Sequence, residues 1–462
     1  MKDLIAAYMP DRGRTIQFAV LVTILLAGLL IRLPEQRQKL VYLPFVLDEA
    51  KYENTLSDLD IADSDWNYLA ARNLSRGNGL SVRVHAPFVP TMYRSPGYPL
   101  TLGASFALFG EQNARYVMLT LFLLGIMLFA VVLWVLFGYS VAAAFLLLVS
   151  FLSGQFLWRY AMANTYFPLV LFLFGLYLLL FTLFQSNRAD RMFCFLLGLA
   201  TAAIILTRSE FMFLPVFSIA AITILRFKEG RKRLIMLLAA FFIGILVLYS
   251  PWVIRNKVQF DTFSPGGRGG LLAAHRGLAA RAVAAGMDYW DFHRRLYIDD
   301  FALPLTRKWV AEGKGTKEMI LLEQEVGRQG MALIKQNLGG YLRGCWEEFA
   351  CGQSFNPSGC GMLGPPEASF FASLSGREPS YRFTLLCFGG LLATLFLFPK
   401  NAVLLFHLPA YFVIINSMVN SSGCMYVTTV ILFYYVMLAV PAGIALQQVI
   451  GKFVMMRETH SS

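Results

Sequence analysis

YVMLTLFLLGIMLFAVVLWVLFG, residues 116–138, runs for 23 positions without a charged side chain. About 20 apolar residues in a helix cross the ~30 Å hydrocarbon core of a bilayer. No water there can satisfy an open backbone, so such a run is read as a helix. Similar runs occur at 16–33, 140–158, 166–184, 192–208, 211–226, 234–253, 383–398, 401–418 and 426–450. The chain is 57% hydrophobic and only 15% charged, with 40 Phe among its 462 residues, which excludes an ordinary soluble domain. A barrel would alternate polar and apolar positions in short segments, and these runs do not. The fold class expected is therefore an all-α polytopic membrane protein of about ten transmembrane helices.

The net charge of +12 has a topological explanation, because Lys and Arg gather in short cytoplasmic loops. No nucleic-acid motif accompanies it. Lys2, Arg12 and Arg14 precede the first run, and Arg188 and Arg191 lie between the fourth and fifth. RFKEGRKR at 226–233 is the strongest cluster, and Lys400, Lys452 and Arg457 mark later ends. All fall on one side, which predicts both termini in the cytoplasm. The first run is followed by LPEQRQ with no small-residue cleavage site, so it is read as a retained helix. Segments 34–115 and 254–382 then lie on the opposite side. The predicted organisation is a membrane core at 1–253, a mostly helical extracytoplasmic domain at 254–382, and closing helices at 383–462. Within that domain, 286–300 and 316–350 carry apolar residues at helical spacing, among them Met319, Leu322, Val326, Met331 and Ile334.

The polar chemistry concentrates in the two outer segments. IADSDWNYLAARNL at 61–74 presents Asp63 and Asp65, and RGNGLS at 76–81 reads as a turn. MYRSPGYPL at 92–100 carries Arg94 and Tyr98 on a bend expected at Pro96, Gly97 and Pro99. SPWVIRNKVQFDTFSPGG at 250–267 delivers Arg255 and Asn256 from a helix end to the same side. An Asp there can accept a proton from a hydroxyl nucleophile. Arginines beside it can hold a phosphate by forked, charged hydrogen bonds. The same acids equally suit a helix N-cap, and the same arginines suit lipid-phosphate anchors.

The order DSDWNYLAARNLSRGNGL, YRSPGYPL, PWVIRN resembles the GT-C superfamily of integral-membrane glycosyltransferases. It is similar to the branch holding protein O-mannosyltransferases and the aminoarabinose transferase of lipid A. The resemblance implies a GT-C-like fold with a large first outer loop and a late outer domain. It implies a polyprenyl-phosphate-linked sugar donor and inverting transfer to a glycan, lipid or protein acceptor. The protein would be multi-pass, in a membrane such as a bacterial inner membrane, with its site facing the periplasm or exterior. The family's loop acid falls on Asp63, with Asp65 as the near alternative. Arg94 takes the place of its loop arginine, and Arg255 with Asn256 that of its post-helix pair; Tyr98 joins them as a donor-phosphate residue. Two family features are missing. MANTY carries Asn164 where many members have Glu, and CMYVTT has Tyr426 but no Arg before it. A second function class is a transporter or flippase of a lipid-linked sugar, for which internal repeats and mid-membrane charges would be expected.

Other features have ordinary readings. Arg208 and Glu210 interrupt an apolar stretch and read as an outer turn holding an ion pair. GGRGG at 266–270 lacks the Gly-Lys-Ser/Thr ending of a P-loop. His85, His275, His293 and His407 have no ligand spacing. No carboxylate and His set marks a metal site, so no cofactor is expected and a divalent metal stays open. Cys345, Cys351 and Cys360 share one polar stretch, where a disulfide and free thiols both fit. Asn73-Leu-Ser and Asn420-Ser-Ser match glycosylation acceptors by composition alone.

Overall fold

A computed structural model describes residues 12–42, 63–92, 94–152, 166–186, 190–263, 269–287, 305, 308, 312, 316–353, 389–419 and 436–448. Among them every regular element is a helix. Among the described residues six helical spans are long and apolar enough to cross a membrane. They are built on α1 (Arg12–Tyr42), α4 (Ala114–Phe137), α6 (Phe167–Ser186), α7 (Asp190–Thr207), α8 (Leu214–Arg226), which spans only with its flanking 3-10 turns from Phe211 to Glu229, and α9 (Arg231–Phe260). Between α1 and α4 lie α2 (Asp63–Ser75) and α3 (Gly97–Phe109). The protein is thus an integral membrane protein of helical class.

Some elements differ from their reading in the sequence. The apolar part of α1 ends at Ile31, but the helix runs on to Tyr42, because LPEQRQKLVY is rich in good helix formers. The run at 140–158 starts as α5 (Tyr139–Leu147) and passes into a π-helical turn at Leu148–Leu152. The end expected at 253 for α9 lies at Phe260, past Pro251. At about 1.5 Å per residue a helix of 30 residues is ~45 Å long, against ~30 Å of hydrocarbon. Its last turns, with Arg255 and Asn256, can therefore stand clear of the bilayer. The segment 316–350 divides at Asn337 into α11 (Thr316–Gln336) and α12 (Leu338–Gln353), which follow α10 (Gly269–Ala284). Of the predicted helix at 286–300, Gly286 and Met287 fall in the turn that ends α10, and 288–300 lie outside the described residues. A helix at 389–397, α13, leads through Phe398 into α14 (Pro399–Val419), and α15 covers Val436–Gln448.

Lipid and side chains are equally apolar, so membrane helices associate by close packing rather than by hydrophobic burial. The α7–α9 crossing uses this directly. A Cβ on Gly198 would sit 2.0 Å from the Phe241 carbonyl oxygen, and one on Gly244 2.1 Å from that of Phe195. Around it α4 packs on α6, α6 on α7, and α8 on α14. Their shared core is aromatic, with Phe122, Phe129, Phe174, Phe181 and Tyr177 buried. Inside that core the Tyr177 hydroxyl lies 2.8 Å from Ser218 Oγ and 2.9 Å from His407 Nε2, linking α6, α8 and α14.

One end of the bundle is tied by ions. Arg233 donates to Asp190 Oδ2 from Nε at 3.0 Å and from a terminal nitrogen at 2.6 Å, joining the starts of α7 and α9. Glu229 bridges Arg233 and Arg226. The basic cluster at 226–233 thus gathers at one end, while α2, α3 and the last turns of α9 lie at the other.

Candidate functional site

Helix α2 opens on Asp63 and holds the carboxylates in its first turn, where the positive end of the helix dipole favours them. The side chain of Asp63 lies outside the described residues, and that of Asp65 is half-buried. Residues 66–71 are all buried, so this short helix is packed on several sides. One side, Trp66, Leu69 and Ala70, joins a cluster with Leu80, Val82, Met92, Trp252, Phe260 and Ile320. Sequence-distant parts meet there: the acid helix, the chain leading to Arg94, the far end of α9, and the start of α11. A second side, Tyr68 and Ala71, packs with Tyr98, Leu102 and Phe106 of α3.

Arg255 is half-buried over this first cluster. Its guanidinium carbon lies 4.8 Å from the Trp252 ring centroid and 5.2 Å from that of Phe260. It donates to the Thr91 carbonyl oxygen at 2.8 Å and to Asn256 Oδ1 at 2.9 Å. Both acceptors are neutral, and no carboxylate among the described residues balances this charge. Asn256 is fully buried and orients the guanidinium. The Arg94 guanidinium carbon stands 5.5 Å from the Trp66 ring centroid. The two arginines thus rest on indole faces of the same apolar cluster, one from each outer segment. A cation held over a ring keeps its charge while shedding part of its water.

Tyr98 falls on the other side of α2. The bend expected at Pro96, Gly97 and Pro99 is instead the start of α3, Gly97–Phe109, because Pro fits the first turn of a helix. Gly97 allows this start to touch α7, since a Cβ there would lie 2.7 Å from Leu206 backbone atoms. Tyr98 is 1% exposed, and its hydroxyl makes no hydrogen bond among the described residues. Burial raises its pKa, so the phenol stays protonated. Its cluster is the neighbour of the one beneath the arginines, not the same one.

A residue that the sequence reading passed over holds α2 in place. Glu111, just before α4, accepts a hydrogen bond from the Tyr68 hydroxyl at 2.7 Å. It also pairs with Arg72 and Arg76, each at 3.7 Å. Positions 68, 72 and 76 recur every four residues and form one polar edge of the helix. That spacing is the signal that could have pointed to a carboxylate partner. The turn at 76–81 is as expected, with Gly77 and Gly79 at φ 78° and 75°. Asn73 closes it by donating to the carbonyls of Ser81 and Arg83 at 2.8 and 2.9 Å, so its amide is buried and engaged.

Arg208 sits in extended backbone between α7 and a 3-10 turn, so the apolar stretch is interrupted there as expected. It stacks on Tyr166 at 4.0 Å. The side chain of Glu210, its expected partner, lies outside the described residues, as do Asn164 and Tyr426. Cys345 is buried on α12, while Cys360 and the Cys351 side chain also fall outside. Among the described residues, no three His, Cys, Asp or Glu side chains group to hold a metal ion.

Compared with solved structures, the chain aligns with an oligosaccharyltransferase, AglB, of Archaeoglobus fulgidus, in complex with an inhibitory peptide and a dolichol-phosphate. The TM-score is 0.50 at 16% identity, over 96% of this chain and 51% of that one. An Archaeoglobus fulgidus oligosaccharyltransferase in complex with zinc and sulfate gives 0.48 at 14%, over 93% and 49%. ArnT from Cupriavidus metallidurans bound to undecaprenyl phosphate gives 0.38 at 17%, over 94% and 78%. The chain spans about half the length of the oligosaccharyltransferases it matches. No protein-family model and no curated protein matches the sequence. At these identities the fold alone is shared, and the first of these likenesses carries it: the chain folds like the corresponding half of that archaeal oligosaccharyltransferase.

Proposed function

We propose that the protein is a membrane glycosyltransferase that moves a sugar from a polyprenyl-phosphate-linked donor to an acceptor. In this reading Arg255, oriented by Asn256, and Arg94 bind the donor phosphate. Asp63 takes the proton of an acceptor hydroxyl or amine, with Asp65 as the near alternative. The acceptor atom attacks the anomeric carbon from the face opposite the phosphate. The bond from that carbon to the phosphate oxygen breaks, and polyprenyl phosphate leaves with inversion. The acceptor is a glycan, a lipid or a protein, and the site opens on the extracytoplasmic side, with both termini cytoplasmic.

The observation that carries the reading is Arg255. A half-buried guanidinium whose hydrogen bonds go only to neutral oxygens, over an apolar cluster shared with the helix that opens on Asp63, is a site waiting for an anion. Burying a charge without a counter-ion is costly, and a donor phosphate supplies one. Gathering the polar residues at one end of the bundle fits chemistry at the membrane surface.

The test uses purified protein in liposomes, given polyprenyl-phosphate sugars and a crude envelope extract as acceptor. Transfer of label and release of polyprenyl phosphate are followed for the wild type and Asp63→Asn. Wild-type transfer that drops about 10²–10⁴-fold in the variant is the expected result for loss of a general base. Equal transfer by both moves the base to Asp65. A lipid that crosses the bilayer with its sugar intact and no transfer would establish a flippase instead.

A further inference from the structure

Helix α12 has two apolar sides. The inner one is made of small residues: Gly340, Gly344 and Cys345 are buried. A Cβ on Gly340 would lie 2.1 Å from the Ala280 carbonyl oxygen, so α12 meets α10 backbone to backbone. The outer one carries Leu338, Leu342 and Trp346, which are 54%, 55% and 66% exposed. These three recur every four residues and therefore form one strip, about 12 Å long at 1.5 Å per residue. In water the exposed face of a helix carries polar side chains. Here it carries two leucines and an indole instead.

The surroundings say what covers the strip. Arg343 is exposed beside it on α12, and Arg328 and Lys335 are exposed on α11 immediately before it. The helix packs against α14, the apolar helix expected to cross the bilayer over 401–418. At 16 residues, with Glu347 and Glu348 in its sequence, α12 is itself too short and too polar to span. Large apolar side chains on one strip, cations at its margin and a tryptophan among them are the composition of a helix lying at a membrane surface.

We propose that α12 is a membrane-docking helix. Leu338, Leu342 and Trp346 enter the boundary between headgroups and acyl chains of the bilayer that α14 crosses, and Arg343 meets anionic headgroups. This attachment holds down the α10–α12 helices, of which α11 packs Ile320, near its start, into the cluster of Trp66 and Trp252 under Arg255. The inference stands whether or not the protein transfers sugar.

The test uses the full chain in liposomes of phosphatidylethanolamine and phosphatidylglycerol, with acyl chains either plain or brominated. The chain has seven Trp, so the emission of Trp346 is obtained by subtracting that of Trp346→Phe. The expected result is a blue-shifted Trp346 that loses most of its emission to brominated chains and little to aqueous iodide. A second variant, Leu342→Trp, adds an emitter one turn away that responds in the same way. Quenching by iodide with indifference to brominated lipid overturns the proposal, because the strip then faces water. Shielding from both quenchers also overturns it, because protein, such as a second copy of the chain, then covers the strip.

Discussion

Replacing Arg255 by Gln isolates the charge on which the functional reading rests. Gln ends two bonds short of the terminal guanidinium nitrogen that lies 2.8 Å from the Thr91 carbonyl oxygen, so that hydrogen bond passes to water. The variant loses the bond to Asn256 at 2.9 Å and the cation over Trp252 and Phe260. A cation–π contact at a half-exposed site is worth about 0.5–1 kcal/mol, so the fold survives with a slightly lower Tm. The effect on a bound phosphate is larger, since a hydrogen bond to a charged group contributes about 1.5–3 kcal/mol. At about 1.4 kcal/mol per factor of ten, binding weakens roughly tenfold to hundredfold. Arg255→Lys keeps the charge but not the fork and falls between the two. The assay is equilibrium binding of undecaprenyl phosphate to protein in nanodiscs, with the uncharged polyprenol as control. Wild-type affinity in a folded Arg255→Gln protein would refute the reasoning, because the guanidinium would then be an anchor of α9 and nothing more.

Three further changes test the frame around the site. Glu111→Gln removes the charge shared by Tyr68, Arg72 and Arg76; because the ion pairs are partly exposed, the loss is about 1 kcal/mol, read as faster amide exchange in α2 with the exchange of α9 unchanged. Gly198→Leu puts side-chain carbon where the Phe241 carbonyl oxygen already lies, so α7 and α9 separate at a cost of about 3 kcal/mol or more, seen as lower thermal stability in detergent. His407→Phe leaves the Tyr177–Ser218 bond and removes the one to α14; interhelical hydrogen bonds in membranes average about 0.6 kcal/mol, so a small fall in Tm is expected, and a fall several times larger would show that α14 depends on this bond.

Much of the frame was legible in the residues. Uncharged runs such as 116–138 can be stable only as helices in lipid, whatever their neighbours are, so class and membrane location follow from composition and length. The motifs of the two long polar segments likewise pointed to the kind of fold that the chain shares with the archaeal oligosaccharyltransferase. What stayed hidden was the extent and contact of elements. The bend assumed at Pro96, Gly97 and Pro99 proved to be a helix start, since Pro and Gly serve both and the choice depends on α7 lying against Gly97. The end expected for α9 at 253 was passed, because packing of Trp252 and Phe260 with Trp66 favours continuing the helix.

The sequence by itself determined that the chain is a bundle of membrane helices, that basic residues group in short segments between apolar runs, and that acids and arginines cluster in two longer ones. These are properties of local composition, and solvent alone reads them. Tertiary structure decided which of those residues meet. Trp66 and Trp252 are almost two hundred positions apart, yet they form one platform on which Arg94 and Arg255 stand. Glu111 became the partner of Tyr68, Arg72 and Arg76 only when α3 folded back on α2. Tyr98, four residues from Arg94, was carried to the opposite side of α2 by the turn of a helix. Packing sets such meetings, because a helix presents a new face every 100° and its neighbours choose which face is buried.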